Sequence, residues 1–140
     1  MLRKNRWYFK RRSRNIKQNI NTYTENEKIK FMKIALKSAY KTLLSDDVPV
    51  GAIILKDKKI ISKGYNTIEK NINTIQHAEI NAINKAIRKL NVKNLDSCDI
   101  FVTLEPCPMC AGAIFLSRIK NVFIGTLDPK SGAAVSVLNI

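Results

Sequence analysis

Two short runs hold the residues whose types and spacing could do chemistry. His77-Ala78-Glu79 and Pro106-Cys107-Pro108-Met109-Cys110 bring together one imidazole, one carboxylate and two thiols. Each run alone is ambiguous, because a solitary histidine is often a core or solvated residue and Cys-x-x-Cys serves redox, structural or metal-binding roles. Jointly they are more specific. Cysteines three apart lie about 60° from one another on a helix, so both sulfurs reach one ion. A helix N-terminus lowers a thiol pKa and favours the thiolate that a metal needs. His77, the only histidine, adds a third ligand. Three protein ligands leave the fourth tetrahedral position to water, as in catalytic rather than structural zinc sites. Cys98, the remaining thiol, reads as a small buried hydrophobe. Glu79 stands two residues from His77, about 200° away in an ideal helix. Both reach one centre only at an open first turn. There a carboxylate takes a proton from water and returns it to a leaving group.

Those side chains need elements to carry them. Thr24-x-x-Glu27 is a capping box that opens a helix over 25–44, with Ile29, Met32, Leu36, Tyr40 and Leu43 as its apolar stripe. The β-rich runs 48–55 and 59–65 form a hairpin around Lys56-Asp57-Lys58, and 66–75 is a polar loop. A second helix over 77–90 buries Ile80, Ile83, Ile87 and Leu90. A short strand over 99–104 ends at the prolines, followed by a helix over 109–118 and a strand over 120–125. Residues 128–132 form a turn-rich loop, and 133–138 begin a further helix. The order predicts an α/β three-layer α/β/α sandwich around a mixed sheet of at least four strands. The last two strands, joined through a helix, should be parallel.

Composition narrows the classes. The chain of 140 residues suits one domain, and 45% apolar with 26% charged residues is ordinary for a globular protein. No apolar run approaches the roughly 18 residues of a spanning helix. Three cysteines, two of them in one short run, argue for a reducing compartment, so a cytoplasmic location is expected. The net charge of +14 points to a polyanion, although Lys, Asn and Ile, which share AT-rich codons, are all abundant. Residues 1–24 hold eight basic groups and no acid. This predicts a disordered basic arm over 1–23 and a folded domain over 24–140. Trp7, Tyr8 and Phe9 among those charges suit stacking on unpaired bases. A solvated tail and an organelle-targeting segment are the other readings of the arm.

The His-Ala-Glu and Pro-Cys-x-x-Cys runs resemble the zinc-dependent cytidine deaminase superfamily, whose motif and mechanism are established. Further segments narrow the likeness: Val48-Pro49-Val50-Gly51-Ala52, Gly64-Tyr65-Asn66, Val102-Thr103-Leu104-Glu105, Ser117-Arg118-Ile119 and Asp128-Pro129-Lys130-Ser131-Gly132-Ala133. With them the chain resembles the bacterial tRNA-specific adenosine deaminases over about residues 27–138. The resemblance implies one Zn2+ per chain on His77, Cys107 and Cys110, with Glu79 as the proton shuttle. It implies that Asn66 hydrogen-bonds the flipped base, that Asp128 and Lys130 line the entry, and that a homodimer acts on a tRNA anticodon stem-loop. Glu105 reads equally as a buried anchor or a substrate contact. Members of that family continue beyond the position of Ile140, so a C-terminally shortened sandwich is expected, its last strand left with an unpaired edge. Deamination of a free nucleobase or nucleotide, and RNA binding without catalysis, are the alternatives.

Overall fold

The computed structural model describes residues 8–11 and 23–137. Its elements are β1 (Tyr8–Arg11), α1 (Glu25–Ala39), a 3-10 turn (Tyr40–Leu44), β2 (Gly51–Lys56), β3 (Lys59–Tyr65), α2 (Ile68–Asn71), α3 (Ala78–Leu90), β4 (Cys98–Leu104), α4 (Pro108–Leu116) and β5 (Asn121–Thr126). One sheet has the order β1-β5-β4-β2-β3. Only β4 and β5 run parallel; the other pairs are antiparallel, so the sheet is mixed as expected.

Side chains alternate across a strand, so each central strand feeds two cores. Ala52, Ile54, Ile100, Val102 and Ile124 pack with Ala78, Ala82, Ile83 and Ala86 of α3 and Ile114 of α4. Ile53, Leu55, Phe101 and Phe123 face the opposite layer, with Tyr23 and with Phe31 and Ala35 of α1. The result is the three-layer sandwich. Among the described residues no helix is long and apolar enough to cross a membrane.

The structure corrects several expectations. Only part of the stripe expected on the first helix meets the core: Met32 packs against it and Ile29 is half-buried, but Leu36, Tyr40 and Leu43 are 44%, 58% and 70% exposed, while Lys28, Phe31, Ala35, Ser38 and Ala39 are buried. Small residues set this rotation. Ala35 and Ala39 bring the helix backbone so near β2 that a Cβ on Gly51 would strike the Ala35 carbonyl. On α3, likewise, Ala78, Ala82 and Ala86 are buried with Ile83, whereas Ile80, Ile87 and Leu90 are only half-buried. Residues 68–71 of the expected loop form the short helix α2, and 133–137 form turns rather than a helix.

The expected unpaired edge is covered. Tyr8–Arg11 pairs antiparallel with β5, Tyr8 opposite Ile124 and Arg11 opposite Asn121. An open edge strand presents a row of free backbone donors and acceptors, and a β-prone Tyr-Phe-Lys-Arg run satisfies them through its own backbone. The arm is thus ordered at these four residues. Tyr23 also belongs to the domain rather than to an arm. Its ring lies 5.2–5.9 Å from those of Phe31, Phe101 and Phe123, and its hydroxyl donates to Asp99 Oδ2 at 2.7 Å. Burial and the carboxylate raise the Tyr23 pKa, and burial raises that of Asp99. Trp7 and residues 12–22 of the arm fall outside the described residues, as do the side chains of Tyr8 and Phe9 on which base stacking was expected.

Candidate active site

α3 and α4 start at two N-cap residues, His77 (φ −71°, ψ 157°) and Cys107 (φ −68°, ψ 172°). Caps have extended backbone, so their side chains lean over the helix end instead of following helical spacing. That is how His77 and Glu79 come to serve one centre. His77 makes no side-chain hydrogen bond to its own helix. Asn66 does the capping instead, its Oδ1 accepting the Ala78 N–H at 2.8 Å. The His77 imidazole is thereby released towards Cys107, with Nδ1 and Sγ 3.7 Å apart. Cys110, in the first turn of α4, completes a trio whose ligand atoms all lie within 4.8 Å of one another.

The trio fits zinc. Bonds of about 2.0–2.1 Å to nitrogen and 2.3 Å to sulfur in a tetrahedron separate N from S by about 3.6 Å and S from S by about 3.8 Å. Without the ion the two sulfurs share one proton, which zinc would displace on binding both as thiolates. A hydrogen bond from the Cys110 thiol lowers the Cys107 pKa to about 5, helped by the N–H groups of Cys110 and Met109 in the first turn of α4. Donating that bond, and burial, raise the Cys110 pKa. Glu79 is 3% exposed. Burial raises its pKa, while its own N–H and the Cys110 thiol hydrogen-bond the carboxylate and partly offset that rise. It adjoins the trio without belonging to it.

Residues 25–126 match the model of the cytidine and deoxycytidylate deaminase zinc-binding region. The chain belongs to that deaminase family. It is 49% identical over 110 residues to a tRNA-specific adenosine deaminase of Aquifex aeolicus, covering 79% of this chain and 73% of the relative. A protein of the same name from Rickettsia bellii is 51% identical over 109 residues, covering 76% of this chain and 75% of that one. Among solved structures, a tRNA:A34 deaminase superposes with a TM-score of 0.77 at 38% identity, covering 79% of this chain and 80% of that chain. A guanine deaminase of Bacillus subtilis gives 0.68 at 38% identity, covering 71% and 64%.

The residues expected to meet substrate all have partners within this deaminase domain. Asn66 is 5% exposed, and besides capping α3 its Nδ2 donates to the Val48 carbonyl at 2.9 Å. One N–H and one lone pair of the amide remain for a ligand. Asp128 organises a turn: Oδ1 accepts from the N–H groups of Lys130 and Ser131, and Oδ2 accepts from the Ser131 hydroxyl. Lys130 is exposed on that turn. His77, Glu79, Cys107 and Cys110 are thus brought together. Asn66 joins them through the Ala78 N–H, and Asp128 through Glu105.

Glu105, ambiguous in the sequence, is an anchor. Its carboxylate accepts from the N–H groups of Asp128, Ala134, Val135 and Ser136 and from the Ser136 hydroxyl. It holds the segment after β5 against the residues just before Cys107. Burial acts to raise its pKa, but these hydrogen bonds outweigh burial and keep it below the usual carboxylate range. A depressed folded pKa contributes stability that is present above the unfolded value and lost as pH falls through the folded one. Acidification below the ordinary carboxylate range is therefore expected to loosen 128–136, read as faster amide exchange at Ala134–Ser136. Glu105→Gln should reproduce that loosening at neutral pH, because an amide nitrogen cannot accept these bonds. Protection unchanged in the variant would refute the anchoring role.

Proposed function

We propose that this deaminase converts adenosine to inosine at the wobble position of a tRNA anticodon, releasing ammonia. The observation that carries the reading is the match to tRNA-specific adenosine deaminases over about three quarters of their length, by a chain whose His-Cys-Cys trio has zinc spacing. His77, Cys107 and Cys110 hold one Zn2+ per chain. Bound there, zinc supplies Lewis acidity that brings the pKa of water down towards about 7. Glu79 accepts the proton from water as its oxygen bonds to C6 of the adenine ring. Glu79 then delivers a proton to the amino group, and the C6–N bond breaks. Asn66, pinned between Val48 and Ala78, holds the base with its remaining N–H and lone pair, and Asp128 and Lys130 shape the entry beside the flanking nucleotides.

The active unit is a homodimer. Leu36, Tyr40 and Leu43 form an exposed apolar row along α1 and the 3-10 turn, beside Leu44 at 95% exposure, which suits burial against a second copy. A monomer in sedimentation at assay concentration would remove that assignment.

The deciding experiment incubates the zinc-loaded protein with an anticodon stem-loop carrying adenosine at the wobble position, and separately with free guanine. Inosine in the RNA, no xanthine, and one zinc per chain by elemental analysis are expected. Xanthine without inosine would move the substrate to the free base, as the likeness to a guanine deaminase allows. A chain that binds no zinc would end the hydrolytic reading.

A further inference from the structure

Tyr65 ends β3 opposite Gly51, one residue before Asn66. Three lysines from three elements surround its ring. The ammonium groups of Lys41 on the 3-10 turn, Lys70 on α2 and Lys85 on α3 lie 5.6, 5.8 and 5.8 Å from the ring centroid. All three residues are exposed. An aromatic ring attracts cations over its two faces, so a third cation beside it adds repulsion from the other two.

None of the three is held in an ion pair among the described residues. Asp47 keeps its negative charge, but its oxygens are turned to the N–H groups of Glu69 and Lys70 and to the Ser45 hydroxyl rather than to an ammonium group. Glu69 is exposed next to Lys70 but forms no pair with it among the described residues. Lys85 meets one carbonyl, that of Lys63, at 3.1 Å. Three ammonium groups within 5.8 Å of one ring centroid concentrate positive charge at the surface. The same chain segment borders the active site. Asn81 Nδ2 ties the Tyr65 carbonyl to α3 at 2.8 Å, and the next residue, Asn66, caps α3 beside His77.

We propose that Lys41, Lys70 and Lys85, gathered around Tyr65, seat the phosphodiester backbone of the RNA strand flanking the reacting base. The proposal rests on the RNA reading of the site, since a free nucleobase carries no phosphate to occupy the seat. The ring keeps the lysine stems converged, and the ammonium groups replace counterions on the backbone.

The test compares two triple variants of equal charge. K41Q/K70Q/K85Q empties the seat, and K89Q/K93Q/K120Q removes three exposed lysines elsewhere. Binding of the anticodon stem-loop is measured across a range of salt, with zinc content and unfolding midpoint checked for each protein. Each single-strand phosphate contact contributes about 0.7 to the log–log salt slope, so the seat variant should flatten it by about 2. The control triple should leave the slope close to that of the parent. A parent slope retained by the seat variant would overturn the proposal, as would equal flattening by both triples, which would reduce the effect to net charge. Inosine formation by the parent protein is read separately. A parent that makes no inosine but loses its steep slope only in the seat variant would keep the phosphate seat and remove the deaminase reading.

Discussion

Glu79→Gln is expected to keep zinc and fold and to lose about 10²- to 10⁴-fold in single-turnover inosine formation, the usual contribution of a general acid–base group. In the proposed mechanism one carboxylate handles both proton transfers, which places the expected loss at the high end. Glutamine preserves size and a carbonyl acceptor, but it cannot take a proton from water. Glu79 is 3% exposed and disfavoured as an anion by burial, so neutralising it should not lower the unfolding midpoint. Loss of rate at constant zinc and unreduced stability would distinguish a chemical role from a structural one. A variant that retains most of its rate would assign proton transfer to another group.

Gly64→Val should unfold the domain more readily than any surface change. A Cβ at Gly64 would collide with the Ala78 carbonyl and reach 2.6 Å from the Ala82 nitrogen. Both are helix backbone, which cannot swing aside. Overpacking typically costs about 1–3 kcal/mol, and rigid neighbours place this site near 3, about a hundredfold in the folding equilibrium. Because α3 begins at His77 and carries Glu79, pushing it off β3 should also weaken zinc binding. Urea unfolding of Gly64→Ala and Gly64→Val checks this, with the larger side chain giving the larger loss. An alanine variant as stable as the parent would contradict so close a helix–strand approach.

The candidate trio, whose ligand atoms the fold gathers, and Glu79 stood out because their meaning lies in local spacing. Two residues at one helix start and two at another form a candidate site once both helices point at the same place. The strands and helices were legible from periodicity, and their layering from their order. The buried face of α1 was not. Periodicity ranks large apolar residues as core, but the contact is made by Ala35 and Ala39, and only the facing Gly51 reveals how near the backbones come. β1 was hidden because Tyr8–Arg11 sits among charges that outweigh its β propensity, and its partner strand lies at the far end of the sequence. Glu105 stayed ambiguous because an anchoring carboxylate is defined by the backbone N–H groups around it, which no residue type announces.

The pairing of β1 with β5 has a consequence for how the protein is made. Tyr8 leaves the ribosome well before its partner Ile124, which belongs to the last strand among the described residues. Everything between them is translated while β1 waits without a strand to pair with. Closing so long a loop is entropically costly and rewarded only by four residues of ladder. The remaining strands can assemble without it, so docking of the N-terminal strand becomes a late event, after His77, Cys107 and Cys110 have met. Until then the β5 edge stays open to any neighbouring nascent chain on the same message. Aggregation during synthesis, rather than thermal unfolding afterwards, is therefore where an altered Tyr8–Arg11 segment would first be felt.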